Sequence, residues 1–380
     1  MGKYKIIATA AMGLESLVGQ EVKNLGYECK VDNSKVIFEG DELAIARANL
    51  WLRTADRIKI QVAEFKATTF DQLFEGTKAV RWGDFLPKDA EFPVIGKSVK
   101  SKLASVPDCQ GIVKKAIVDK MKQTYNIQSA WLEESGAMYR VEVAILKDVV
   151  TLTLDASGSG LHKRGYRVGQ GGAPIKETLA AALVLLTNWR ADKPFVDPFC
   201  GSGTIPIEAA LIGQNIAPGF NRDFVSEEWA WMNKEVWDKA RQEVEDLANY
   251  DQELDIAGYD IDHRMIQIAK DNAFEAGLGE LIDFKQMQVR DFTTRKEYGV
   301  IVGNPPYGER LGDKPAVEHM YKEMGEAFRP LDTWSVYMLT SHEGFEEHYG
   351  KAATKKRKLF NGFIKTDYYQ YWGKRPPKNN

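Results

Sequence analysis

The spacing of apolar and polar residues divides this chain into three stretches with different rhythms. Residues 5–9 predict a strand, and residues 14–25 repeat apolar positions at helical spacing before stopping at Gly26. Residues 35–38 predict a second strand and 41–52 a second helix with Asp41 as its N-cap. Residues 57–65 alternate apolar and polar side chains as a third strand. That order, over 1–65, has the form of a ferredoxin-like α+β module. A second α+β stretch runs from 66 to 160. It holds a strand at 92–95, a lysine-rich segment at 98–103, a helix at 110–122 and strands at 138–146 and 149–154. Lys147-Asp148 reads as a tight turn, and residues 155–160 (Asp-Ala-Ser-Gly-Ser-Gly) as a linker.

From 161 onward strands alternate with helices, the signature of a parallel doubly wound α/β sheet. Helices are predicted at 175–189, 205–212 and 265–276, and strands at 194–197, 256–259, 284–287, 300–303 and 334–339. An antiparallel hairpin, 356–360 with 364–372, closes the chain, turned by Asn361-Gly362.

Composition fits a globular protein of two or three domains: 380 residues, 44% hydrophobic and 28% charged. No run is apolar for long enough to span a bilayer, and no signal peptide is evident, so a cytoplasmic protein without membrane contact is expected. Cys29, Cys109 and Cys200 are widely spaced and form no Cys/His cluster, which argues against a metal site and against a disulfide framework. His162, His263 and His342 form no catalytic or metal set. The net charge of −3 hides basic segments. Residues 97–122 carry seven lysines against two acids, and 351–380 carry seven lysines and two arginines against one acid. Residues 221–255 carry eleven acids against four bases. Each run alone reads as a solvated face; two separate lysine-rich runs lean toward a nucleic-acid partner.

The chemistry concentrates where strands end. Asn304-Pro305-Pro306-Tyr307 follows the apolar run Val300–Gly303. In open α/β sheets ligands bind outside the carboxyl ends of strands. Two consecutive prolines offer carbonyls but no N–H, so the turn is rich in acceptors and suits a planar amine; Tyr307 adds a ring on which a base can stack. Upstream, the turn Val196-Asp197-Pro198-Phe199-Cys200-Gly201-Ser202-Gly203-Thr204 joins a strand to a helix, with glycines that let a ligand approach the backbone. It lacks the Lys-Ser/Thr pair of a P-loop, and its acid disfavours pyrophosphate. Asp260 ends the next strand, where it can accept from both hydroxyls of a ribose or cap the helix that follows. After the third strand, Asp291 or Gln288 could accept from an adenine amine, and Asp291 could equally be a surface residue.

An acidic glycine turn, a strand-end acid and Asn-Pro-Pro-Tyr on successive strands resemble the Rossmann-like class I S-adenosylmethionine-dependent methyltransferases. The chain resembles more narrowly the bacterial THUMP-containing 23S ribosomal RNA guanine-N2 methyltransferases. The closer likeness rests on Leu161-His162-Lys163-Arg164-Gly165-Tyr166-Arg167, Ala173-Pro174-Ile175-Lys176-Glu177-Thr178-Leu179-Ala180, and the extension Gly308-Glu309-Arg310 after the tetrapeptide. Lys100 to Ala116 resembles the THUMP RNA-binding module. The resemblance implies a ferredoxin-like module over 1–65, a THUMP domain over 66–160 and a methyltransferase domain over 161–380. S-adenosylmethionine would be the methyl donor, S-adenosylhomocysteine the product and ribosomal RNA the partner, with no metal and no obligate protein partner. Asp197, Phe199, Gly201, Gly203 and Thr204 would hold the donor, Gly201 and Gly203 at its methionine moiety, with Asp260 at the ribose and Asp291 at the adenine. Asn304, also a donor contact, and the Pro305 carbonyl would hold the target amine, with Pro306 and Tyr307 completing the catalytic turn. Lys97, Lys100, Lys102, Lys114 and Lys115 would meet RNA. The acidic insertion after the glycine turn departs from the family pattern; its Trp229, Trp231 and Trp237, at near-helical spacing, read as a packed cap over the site. Rival readings are a DNA adenine-N6 methyltransferase, another RNA (tRNA) N-methyltransferase, a protein glutamine methyltransferase, and a non-enzymatic RNA assembly factor.

Overall fold

The computed structural model describes residues 2–129, 131–169, 171, 174–307 and 314–377; Ala173 and Gly308-Glu309-Arg310 of the motifs above lie outside them. The described residues form two compact units.

The first unit comprises Met1–Ala10, Val18–Leu161 and Arg222–Glu243. Its seven strands are β1 (Tyr4–Ala10), β2 (Cys29–Asp32), β3 (Lys35–Gly40), β4 (Ala55–Lys66), β5 (Val94–Val99), β6 (Val141–Leu146) and β7 (Val149–Asp155). They form one sheet in the order β2-β3-β1-β4-β7-β6-β5. The twelve-residue β4 pairs antiparallel with β1 on one side (Lys5↔Gln61) and with β7 on the other (Lys59↔Asp155), so a single sheet runs through both α+β stretches. Ile6, Ile58, Ile60, Val143 and Leu152 are fully buried, as period-2 alternation requires of a one-sided core. Helices α1 (Glu15–Asn24), α2 (Glu42–Trp51), α3 (Phe70–Lys78) and α4 (Val106–Tyr125) lie along this part of the chain. The Asp41 side chain accepts from Ala44 N at 3.0 Å, the predicted cap. Lys147 and Asp148 both have positive φ (50° and 64°), the backbone a two-residue β6–β7 turn needs. Two elements escape the periodicity: β2, whose residues are mostly exposed, and α3.

In the second unit the apolar runs become a parallel sheet. After α5 (Glu177–Leu185) come β8 (Phe195–Asp197) and α6 (Thr204–Gly213). The stretch Arg222–Glu243, including the start of α7 (Lys234–Leu247), belongs to the first unit. Then follow β9 (Ile256–Asp260), α8 (His263–Glu275), β10 (Ile282–Gln286), β11 (Val300–Gly303), α9 (Lys314–Phe328), β12 (Ser335–Thr340), α10 (Phe345–Tyr349), β13 (Lys355–Asn361) and β14 (Ile364–Tyr371). The strand order is β10-β9-β8-β11-β12-β14-β13, the first five parallel and the last two antiparallel to their neighbours. This is the expected doubly wound sheet with a terminal hairpin. Val300 and Val302 pack into one apolar cluster with Leu183 and Ile207, while Ile301 packs into another with Tyr321 and Met338. Burial on both faces is why β11 reads as an unbroken apolar run.

One expectation is corrected. The hairpin pairs Asn361 with Ile364, so its loop is Gly362-Phe363 with Gly362 at φ +63°; Asn361 is the last strand residue, not a turn residue. The tryptophans of the insertion pack within the first unit. Trp229 stacks on Tyr139 (5.1 Å between centroids, 13°), Trp231 on Tyr4 (5.1 Å) and Trp237 on Phe224 (5.5 Å). Aromatic partners ninety or more residues away claim two of these rings, which local spacing cannot reveal. Among the described residues no helix is long and apolar enough to cross a membrane.

Candidate active site

Chain order runs β8, β9, β10 in one direction from the sheet centre, then returns to β11 on the other side of β8. The parallel pairings β8–β9 (Val196↔Ala257) and β8–β11 (Ile301↔Val196) bring three carboxyl ends to one edge. A crevice opens at such a switch point, because successive connections leave toward opposite faces. Here it is a cavity of about 490 Å³.

Asp197, Phe199, Gly201, Thr204, Asp260 and all four residues Asn304–Tyr307 line this cavity. Gly201 has φ +52° and faces open space, so it provides both the turn and the clearance. Gly203 does not line the cavity. It sits at φ +84° at the start of α6, where a Cβ would meet Ala269 at 3.0 Å and the Phe284 ring at 3.1 Å. That fit packs the start of α6 closely against α8 and β10. Asp291 is likewise outside the cavity, its side chain 64% exposed and 3.9 Å from Arg290; Gln288, with Met287 and Val289, lines the wall instead.

The polar groups of the cavity are mostly acceptors. Asp197 is 1% exposed at the end of β8. Its Oδ1 accepts from Phe199 N at 2.9 Å, while its buried Oδ2 has no partner. Burial, followed by the charge of Asp260, pushes the Asp197 carboxyl well above the ordinary range. Asp260 accepts from Gly201 N (3.0 Å) and Asp262 N (2.8 Å), which fixes it across the glycine turn, and burial raises its carboxyl as well. The helix that follows is capped by Asp262, which accepts from Arg264 N, leaving Asp260 to the cavity. Asn304 Oδ1 is buried and also has no partner. Orphaned buried acceptors are rare, because each forfeits the hydrogen bonds it made in water. Two in one cavity fit a ligand that brings donors. The Cys200 thiol is pushed well up by burial and then by Asp197 and Asp260, which disfavours its thiolate.

Residues outside the cavity hold its wall. Arg167 donates to Glu177 Oε1 (2.8 Å), Ser202 Oγ (3.0 Å) and Thr204 Oγ1 (3.0 Å), tying the two resemblance motifs to the glycine turn. Arg164 and Tyr166 both donate to the buried Glu208 carboxylate on α6. The Asn272 side chain donates to Ser202 O (2.9 Å). On the far side the buried Tyr321 hydroxyl donates to Pro306 O at 3.2 Å and lies 2.9 Å from Thr340 Oγ1, and Asn361 Nδ2 donates to the Tyr307 hydroxyl at 2.8 Å. Periodicity could not find these partners, which lie 15 to 54 residues from the turn they brace.

His342 does join a cluster that the sequence concealed, with His348 and Glu318. The two Nε2 atoms lie 3.6 Å and 3.4 Å from Glu318 Oε1. Gly344 N donates to His342 Nδ1, so the neutral ring carries its proton on Nε2, facing the carboxylate. A metal-ligating imidazole has the opposite arrangement, a bare nitrogen inward and an N–H outward.

In the first unit the predicted RNA-binding lysines divide. Lys97 Nζ lies 3.0 Å from Glu142 with its side chain still 61% exposed, and Lys114 lies 2.6 Å from Glu134 and 3.6 Å over the Phe92 ring, an internal contact. Lys100, Lys102 and Lys115 are exposed.

Residues 164–370 match the family described as RMKL-like, methyltransferase domain; residues 5–59 match the RlmL ferredoxin-like domain and 67–155 the THUMP domain. The chain is 74% identical over 378 residues (100% of this chain, 98% of the other) to the Bacillus subtilis (strain 168) protein named "Putative RNA methyltransferase YpsC". It is 67% identical to a structure described as a predicted N6-adenine-specific DNA methylase from Listeria monocytogenes str. 4b F2365 (TM-score 0.94; 98% of this chain, 97% of that one). It is 51% identical to SMU.472, described as a putative methyltransferase complexed with SAH (TM-score 0.95; 99% and 100%). The chain belongs to the RMKL-like methyltransferase-domain family.

Proposed function

We propose that this chain transfers a methyl group from S-adenosylmethionine to the exocyclic N2 amine of a guanine in 23S ribosomal RNA. The observation that carries the reading is Asn304 Oδ1, a buried acceptor without a partner in a cavity at the carboxyl edge of the sheet. When bound, the donor supplies a sulfonium methyl that needs no further activation. Its ammonium and ribose hydroxyls are hydrogen-bond donors, which suits the open Asp197 Oδ2 and the strand-end Asp260. SMU.472, its relative at 51% identity, is described as complexed with SAH. Gln288, which lines the cavity, would accept from the adenine amine in place of Asp291.

An aromatic NH2 is a weak nucleophile because its lone pair is delocalised into the ring. Asn304 Oδ1 and the Pro305 carbonyl would accept its two hydrogens, aim the lone pair at the methyl and stabilise the positive charge on nitrogen as the N–C bond forms and the sulfonium C–S bond breaks to leave S-adenosylhomocysteine, the nitrogen then releasing one proton to solvent. Tyr307, 4% exposed and held by Asn361, would stack on the base, which must leave its own stack to enter.

The two acceptors would suit the exocyclic amine of guanine or of adenine, and relatives are named for both RNA and DNA. The THUMP match over 67–155 favours RNA. The test is methyl transfer from labelled donor into 23S ribosomal RNA from cells lacking this protein, compared with duplex DNA, with mass analysis of the modified nucleoside. N2-methylguanosine in RNA is expected; N6-methyladenine in DNA alone would sink the reading. Reversing the exposed pair Lys100→Glu and Lys102→Glu should weaken RNA binding and lower the magnitude of its salt slope by about 1.4, roughly 0.7 for each phosphate that is no longer neutralised. A binding titration between 50 and 200 mM salt checks this, and an unchanged slope moves the RNA-binding surface elsewhere.

A further inference from the structure

The β13–β14 hairpin ends in a feature that neither the fold nor donor binding requires. Phe363 is completely exposed (105%), and Ile364 beside it is 43% exposed. A lone exposed apolar residue is ordinary; this one stands at a hairpin tip with Ile364, Lys358 and Lys365 nearby. The loop is only Gly362-Phe363, with Gly362 at φ +63°, so the ring stands on a short turn closed by the Asn361↔Ile364 pair. Asn361 Nδ2 donates to the Tyr307 hydroxyl at 2.8 Å, and Tyr307 lines the cavity. The Cα atoms of Asn361 and Phe363 can be no more than about 7.6 Å apart, so the exposed ring belongs to the surroundings of the catalytic turn. Lys358 and Lys365, which the pairs Lys358↔Asp367 and Phe360↔Lys365 put on one face of the two strands, are exposed with no carboxylate within 4 Å among the described residues; Lys356 on that face pairs with Glu346.

An exposed aromatic ring with cations along its flanks is the arrangement that holds single-stranded nucleic acid: bases stack on the ring and phosphates follow the cations. We propose that the hairpin tip is a contact for the substrate strand, in which Phe363 stacks on an unpaired base flanking the target nucleotide. Asn361 couples the same tip to Tyr307, so a base seated on Phe363 and a target base seated on Tyr307 are registered to one rigid turn. Phe363 is thus a positioning residue, outside the reacting groups. The inference rests on the RNA reading above.

The experiment compares Phe363→Ala, Phe363→Trp and Phe363→Leu in the full chain. Three readouts are needed: methyl transfer into 23S ribosomal RNA from cells lacking this protein, calorimetric binding of S-adenosylhomocysteine, and thermal midpoint. Phe363→Ala should lower kcat/KM for RNA about 10-fold, within the range of removing one base–aromatic stack. Product affinity should stay within about 2-fold and the midpoint should not move, because the Phe363 ring is fully exposed. Phe363→Trp should restore transfer and Phe363→Leu should not. Parental kcat/KM in Phe363→Ala overturns the proposal, and so does equal rescue by leucine, which would make the contact merely apolar. If the parent chain methylates this RNA and the alanine variant matches it, the hairpin proposal alone falls. If the parent methylates duplex DNA and not RNA, the RNA reading falls and takes the hairpin proposal with it.

Discussion

Asn304→Ala should lower kcat for methyl transfer about 100- to 1000-fold while S-adenosylhomocysteine binds within about 3-fold of the parent. The magnitude is that of removing one preorganised polar group aimed at charge that develops only in the transition state. Asn304 Oδ1 already stands buried without a partner, so its dipole needs no rearrangement when the amine arrives. For the same reason the variant should fold as well as the parent, since deleting an unsatisfied buried acceptor relieves a desolvation cost. Asn304→Asp separates the two ends of the side chain. It keeps an acceptor where Oδ1 stands and loses the amide donor, so it should retain more activity than alanine. Single-turnover transfer with saturating donor, beside product calorimetry, checks both variants. If aspartate is as inactive as alanine, the donating Nδ2 matters and the acceptor mechanism is wrong.

The elements that read cleanly from sequence are those whose environment is uniform. Val300–Gly303 is buried on both faces, so its apolar run marks a central strand, and the tetrapeptide after it falls at the catalytic edge. The strand-end acids of β8 and β9 are legible in the same way, because strand ends follow from strand positions. Sequence misleads where the chain meets something distant. The exposed strand β2 has no apolar face to reveal it. The strand predicted at 92–95 is β5 at Val94–Val99, where Gly96, Lys97 and Ser98 carry no apolar signal to extend it. Trp229 and Trp231 find their rings in Tyr139 and Tyr4, and no local pattern names those partners. Gln288 and Asp291 are three residues apart on one turn of 3-10 helix, and only its orientation shows which of them lines the cavity. A glycine turn suggests a ligand at Gly203; the Ala269 and Phe284 atoms against it explain that glycine without one. Glu318, His342 and His348 come together from a helix, a loop and a second helix, which spacing alone cannot group.

Asp197→Asn should stabilise the donor-free chain at neutral pH and weaken donor binding, two effects of opposite sign from one atom. Asp197 is 1% exposed; Phe199 N satisfies Oδ1, and nothing satisfies Oδ2. Burial first, and Asp260 second, hold its carboxyl well above the ordinary value of about 4. A group that binds its proton more tightly folded than unfolded favours the fold fully below the unfolded pKa. That contribution is lost as pH rises from there through the folded pKa. The donor-free protein therefore bears the full cost of the buried charge only above the raised value. Asparagine keeps the shape and the Phe199 contact and removes the charge, so the thermal midpoint of the variant should exceed the parent's near pH 7.5. The gain should be about 2–4 °C for each 1 kcal/mol, and the difference should shrink toward pH 4. The ligand reverses the balance. An ammonium facing Oδ2 gains a charge-assisted hydrogen bond worth about 1.5–3 kcal/mol, so S-adenosylhomocysteine should bind the variant roughly 10- to 150-fold more weakly. Scanning calorimetry at the two pH values, with titration calorimetry at pH 7.5, measures both. A variant that melts below the parent at pH 7.5, or one that binds product equally well, would show that Oδ2 is not held in reserve for the donor's ammonium.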